Sequence, residues 1–94
     1  MKGTPMTAVT IYTKPFCPYC TRALGLLRQK GAAFTEIEAG MDPALRQEMM
    51  LRSGRSTFPQ IFIGDQHVGG CDELYALEDA GELDPLLQNE ERPA

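Results

Sequence analysis

The stretch Ala8–Ala39 constrains the fold more than any other part of the chain. It opens with AVTIYT (Ala8–Thr13), a short apolar segment with the β-branched composition of a buried strand. CPYCTRALGLLRQKG follows at once, with Cys20, Ala23, Leu24 and Leu27 at the spacing of one helix face. Pro18 suits the first helical turn, where its missing N–H costs nothing, and Lys30–Gly31 make a C-terminal end. Gly25 inside this helix costs about 1 kcal/mol against Ala, which close packing against a strand would explain. AFTEIEA (Ala33–Ala39) reads as a second strand. Strand, helix and strand in this order predict a parallel pair joined by a right-handed crossover.

The rest of the chain extends that unit. An Asp–Pro start at Asp42–Pro43 opens a helix that Gly54 closes, with Leu45 and Met49 on one face and Met49 and Met50 as core candidates. QIFIGDQHVGG reads as a β-hairpin, Ile61–Ile63 and Gln66–Val68 joined by a Gly–Asp turn. A helix is expected from about Asp72, broken near Gly81 into a second short one. At 94 residues the chain is expected to form one domain, with a short N-terminal extension over 1–7 and a frayed tail over 89–94.

Composition excludes some classes of function. The net charge of −4 argues against a nucleic-acid partner, which would want a basic surface. Apolar runs are too short for a membrane span, and Met1–Ala8 carries one Lys and no apolar run, unlike a secretory signal. Three cysteines, two of them as CxxC, fit a cytoplasmic protein with a reactive pair better than a secreted disulfide framework. His67 is expected at the surface of a short hairpin strand.

Cys17 falls at the start of the first helix, where free N–H groups and the positive end of the helix dipole favour a thiolate. The N–H groups of Tyr19 and Cys20 are the natural donors to its sulfur, with Lys14 close in sequence. The dipole contributes about 0.3–2 kcal/mol and each hydrogen bond to a charged sulfur about 1.5–3 kcal/mol, so Lys14 assists rather than decides. Cys20, one turn further in on the apolar face, should be more buried and closer to a normal thiol. This asymmetry suits thiol–disulfide exchange: Cys17 attacks and Cys20 resolves. Two unrelated inert thiols are a poor account of a pair separated by Pro-Tyr directly after a strand. A closed metal site needs four ligands, and only Cys71 and His67 stand beside the pair, so no metal site is expected within one chain.

YTKPFCPYC, STFPQIFIG and HVGGCDEL together resemble the glutaredoxin family, specifically its short bacterial dithiol type, from about Ala8 to Leu87. The resemblance implies an α/β, thioredoxin-like fold: a four-stranded mixed sheet in the order 2-1-3-4 with helices on both faces. It implies a cis peptide within Thr57–Phe58–Pro59, which presents the Phe58 backbone to a substrate beside Cys17. It implies glutathione as co-substrate, no tightly bound cofactor, and glutathionylated or disulfide-containing proteins as partners of a monomer.

Glutathione carries two carboxylates and an ammonium, and the chain offers groups for each. Backbone N–H groups of Cys71 and Asp72, after Gly69–Gly70, suit the γ-glutamyl carboxylate, and the Asp72 side chain suits the ammonium. Lys14 and Arg46 suit the glycine carboxylate, and Tyr19 flanks the sulfur. Asp72 has a second, compatible reading as a helix N-cap, and Arg46 and Arg55 as solvated charges.

The chain departs from the family pattern in three places. Phe58 replaces a smaller β-branched residue, Ser56 replaces a basic residue or Thr, and Cys71 follows the Gly pair as in only some members. Cys71 is expected to be dispensable and open to glutathionylation. Two rival functions remain: a redoxin reduced by thioredoxin reductase, and a glutathione-ligated iron–sulfur carrier dimer, which Pro18 disfavours by stiffening the turn and removing a donor.

Overall fold

The structure, a computed structural model, describes residues 8–88, so the expected extension and tail lie outside the described residues. Four strands and four helices follow one another as β1 (Val9–Thr13), α1 (Pro18–Gln29), β2 (Phe34–Glu38), α2 (Pro43–Ser53), β3 (Gln60–Ile63), β4 (Gln66–Gly69), α3 (Cys71–Asp79) and α4 (Leu83–Leu87). The strands form one sheet in the order β2-β1-β3-β4. β1 runs parallel to β2, with Val9 opposite Phe34, and antiparallel to β3, with Val9 opposite Ile63. β3 and β4 form the expected hairpin, with a register shift at Ile61–Phe62.

Period-two alternation in β1 divides the core between the two faces of the sheet. Val9 and Ile11 join Ala23, Leu26, Leu27, Ile61 and Leu74 in a cluster under α1, α3 and α4. Tyr12 points the other way, into a smaller cluster with Met49 and Phe62 under α2. The Tyr12 hydroxyl ties α2 down: it donates to Glu48 at 2.6 Å and accepts from Arg52 at 2.8 Å. β2 is an edge strand that gives one half-buried apolar side chain to each cluster, Phe34 to the first and Ile37 to the second.

Three sequence expectations need correction here. The buried face of α1 is Cys20, Ala23, Leu26 and Leu27; Leu24 only packs against its margin. Gly25 lies on the exposed side, where an added Cβ would meet nothing within 4 Å, so no close strand packing explains it. Met49 is core, but Met50 is exposed.

Candidate active site

Cys17 caps α1. Its backbone is extended (φ −116°), Pro18 takes the first helical position, and its sulfur accepts the Cys20 N–H at 3.3 Å. Tyr19, the other expected donor, makes no such bond among the described residues. Cys20 is the more buried of the two, but only narrowly, and it is not the near-normal thiol expected of it. Cys17 is 7% exposed and Cys20 3%. Burial, reinforced by the Cys17 side chain, pushes the Cys20 thiol up to about 12. Cys20 therefore stays protonated across the neutral range. All three cysteines are free thiols.

The Phe58–Pro59 peptide is cis. Neither the Phe58 N–H nor its C=O has a backbone partner among the described residues. A buried glutamine anchors this loop: Gln60 Nε2 donates at 3.0 Å to both the carbonyl and the hydroxyl oxygen of Thr57. With its amide so oriented, Gln60 Oε1 faces His67 Nε2 at 2.7 Å and accepts its proton. His67 is thus half-buried rather than a surface residue. Its ring lies 4.9 Å from that of Phe62, and burial, aided by Arg55, lowers its pKa, which keeps it the neutral Nε2–H tautomer.

Two cavities flank the Thr57–Phe58 segment, which lines both. The first, of 620 Å³, is lined by Lys14, Arg46, Met50, Ser56, Thr57 and Phe58. Lys14 Nζ stands 5.8 Å above the Phe58 ring, and the Arg46 guanidinium donates to the Gly40 carbonyl. Gly40 is required for this arrangement: a Cβ there would collide with the Lys14 Cβ and crowd Pro15. Both cations expected to bind a carboxylate therefore share one cavity wall. The large Phe58 ring serves twice, packing against the smaller core cluster and facing the Lys14 ammonium.

The second cavity, of 320 Å³, brings together Tyr19, Pro59, Gly70, Cys71 and Asp72 with Arg55 and Glu73. Cys17 and Cys20 line neither cavity, but Tyr19, between them in sequence, lines this one. The N-cap of α3 is Gly70 and not Asp72, whose exposed side chain performs no capping bond. Glu73 Oε1 instead accepts the Gly70 N–H at 2.7 Å, and Arg55 stands 3.5 Å from its other oxygen. The Gly70 N–H bond, ahead of the Arg55 cation, holds the Glu73 carboxyl below its usual value. The N–H groups of Cys71 and Asp72 have no partner among the described residues. A Cβ at Gly70 would sit a tight 3.3 Å from both the Pro59 carbonyl oxygen and Glu73 Oε1, so the absence of a side chain eases the approach of α3 to the cis-Pro loop. Cys71 lines the cavity yet is 4% exposed, and burial raises its thiol pKa, which is unfavourable for the modification expected of it.

Glu73 and Gln60 were not singled out by sequence reasoning, and His67 was read only as a surface residue. A Glu three residues past the N-cap, as in Gly70-x-x-Glu73, is one half of the capping-box signal and was available. Gln60 carries no such signal beyond a polar residue heading an apolar strand.

The glutaredoxin family model matches residues 9–68. The chain is 58% identical over 83 residues to Glutaredoxin 3 of Escherichia coli (strain K12), covering 88% of this chain and all of that one. The solution structure of a glutaredoxin from Brucella melitensis superposes with a TM-score of 0.81 at 62% identity, covering 96% of this chain and 97% of that one. A crystal structure of a buckwheat glutaredoxin–glutathione complex superposes with a TM-score of 0.76 at 33% identity, covering 84% and 74%. With its CPYC pair at the head of α1 and a sheet in the order 2-1-3-4, this chain belongs to the glutaredoxin family and is a thiol oxidoreductase of the short dithiol type.

Proposed function

We propose that the protein reduces glutathione mixed disulfides and protein disulfides at the expense of glutathione. The observation that carries this reading is the pair of cavities on either side of Thr57–Phe58, one with two cations and the other with free helix N–H groups beside a carboxylate. That spacing of charges suits a tripeptide with a carboxylate at each end and an ammonium at one. Lys14 and Arg46 take the glycine carboxylate. The Cys71 and Asp72 N–H groups take the γ-glutamyl carboxylate, and the Asp72 side chain takes the ammonium. Thr57, Phe58 and Pro59 present backbone to the cysteinyl residue, Gly70 leaves room for that approach, and Tyr19 covers the sulfur. A buckwheat glutaredoxin of similar fold has been solved in complex with glutathione, which supports glutathione as the ligand.

In the first reaction the Cys17 thiolate attacks the glutathione sulfur of a mixed disulfide. The protein thiolate leaves and takes up a proton, and Cys17 is left bonded to glutathione. A second glutathione thiolate attacks the sulfur of that bound glutathione, releasing oxidised glutathione and the Cys17 thiolate. With a protein disulfide, Cys17 forms a mixed disulfide with one protein sulfur. Cys20, once deprotonated, attacks the Cys17 sulfur and forms the Cys17–Cys20 bond; the protein's sulfur leaves as a thiolate and takes up a proton, and two glutathione molecules then reopen the Cys17–Cys20 bond, leaving as oxidised glutathione. The high Cys20 pKa keeps this second thiol from competing in the first reaction.

The test is a coupled assay with a small glutathione mixed disulfide, glutathione and glutathione reductase, run beside one with thioredoxin reductase. Turnover is expected only in the first. Turnover with thioredoxin reductase and none with glutathione would overturn the proposal.

A further inference from the structure

Phe16 immediately precedes the reacting cysteine, and its side chain is fully exposed. It is also the only non-glycine residue with positive φ (56°) among the described residues. Pro15 followed by a positive φ is the turn pattern whose next position favours Gly or Asn, because a side chain there meets its own backbone. The other side of this turn is packed: Lys14 and Pro15 press against Gly40. Aiming Cys17 into the helix start therefore needs the turn, but it does not need a phenyl ring at its tip. The molecule accepts backbone strain and an unburied aromatic side chain together, one residue from the sulfur that reacts.

We propose that Phe16 is a docking contact for protein disulfides, one that receives an apolar residue flanking the substrate cysteine. Phe16 adjoins Cys17 in the chain, and on the other side of Cys17 a second exposed aromatic, Tyr19 (55% exposed), lines the second cavity. A protein substrate whose sulfur is in line with Cys17 must bring its neighbouring residues over this edge. A small mixed disulfide has nothing to place there. Partial burial of a phenyl ring against an apolar partner is worth about tenfold in affinity. Phe16 thus separates protein substrates by what flanks their cysteine while leaving small ones alone. This rests on Cys17 being the attacking sulfur.

The test compares the wild type with Phe16→Asn and Phe16→Tyr. Substrates are two disulfide-bonded peptides, Leu-flanked and Ser-flanked, with dithiothreitol as reductant, and a small glutathione mixed disulfide in the glutathione assay. Phe16→Asn is expected to raise the thermal midpoint, since Asn tolerates this backbone. It should raise KM for the Leu-flanked peptide by about tenfold and leave the other two substrates unchanged. Phe16→Tyr should restore the Leu preference. Equal losses on all three substrates would mean that Phe16 only shapes the turn, and an unaltered Leu preference in Phe16→Asn would mean that the ring contacts nothing; either overturns the proposal. Failure of the wild type in the glutathione assay would sink the glutathione reading alone, because the peptide arms do not use glutathione.

Discussion

At the start of α1 a sulfur caps the helix, and at the start of α3 a carboxylate three residues on does so. Cys17 accepts the Cys20 N–H at 3.3 Å, and Glu73 accepts the Gly70 N–H at 2.7 Å. Both helix starts collect free N–H groups and positive dipole, but at α1 the capping atom is itself a sulfur, whereas at α3 the cap is a carboxylate and the Cys71 thiol lies buried beside it. At α3 the capping charge is permanent at neutral pH and partly answered by Arg55. What that start still offers is the pair of N–H groups on Cys71 and Asp72, unpartnered among the described residues. In the proposed function the first helix start reacts and the second holds the substrate.

Replacing the sulfurs tests the first half of that contrast and carries the largest effect. Cys17→Ser is expected to abolish turnover of both mixed and protein disulfides. Cys20→Ser should abolish only the protein-disulfide reaction, because the proposed deglutathionylation does not use the second thiol. Equal losses on both substrates from the two substitutions, in parallel assays, would erase the division between attacker and resolver.

The holding role of α3 is tested by Asp72→Asn. Removing a charge-assisted contact worth about 1.5–3 kcal/mol should raise the KM for glutathione mixed disulfides by about tenfold or more, with kcat unchanged. A fall in kcat at constant KM would instead place Asp72 in the chemistry.

Between the two helix starts runs the Thr57–Phe58–Pro59 loop, and Gln60 holds it. Gln60→Met keeps the volume but leaves two Thr57 acceptors and the His67 donor without their partner. That should cost about 1–3 kcal/mol of stability, read by urea unfolding, together with a several-fold rise in KM. Unaltered KM in a destabilised variant would reduce Gln60 to a core residue with no bearing on the site.

The difference between these regions also sets what could be read in advance. The α1 start was legible because strand, CPYC and amphipathic helix lie contiguously, and local rules of capping and periodicity act on neighbours. The sheet order followed from the family resemblance and is observed. The α3 start was half legible: GGCD announced a helix, but the cap was assigned to Asp72 and belongs to Gly70 and Glu73. The Gln60–Thr57–His67 chain was not legible, since it depends on β4 lying beside β3 and on an amide orientation that only a packed neighbour sets. Leu26 displaced Leu24 from the buried face because the sheet and α3 together enclose a wider arc of α1 than a minimal periodic stripe describes.

The smallest effect separates the two caps by pH. Glu73 has its carboxyl held below the usual value near 4.5, first by the Gly70 N–H and then by Arg55. A depressed folded-state pKa means that its contribution is complete above the ordinary carboxylate range. It is lost as pH falls through that range toward the folded value, because the unfolded chain takes up the proton first. Glu73→Gln keeps an acceptor for Gly70 but removes the charge, so it should cost only about 0.3–1 kcal/mol at pH 7. That gap between wild type and variant, measured as urea midpoints, should close at pH 3. A gap that stayed constant from pH 7 to pH 3 would mean that the α3 cap works by shape alone. The charge contrast with the sulfur-capped helix would then fall.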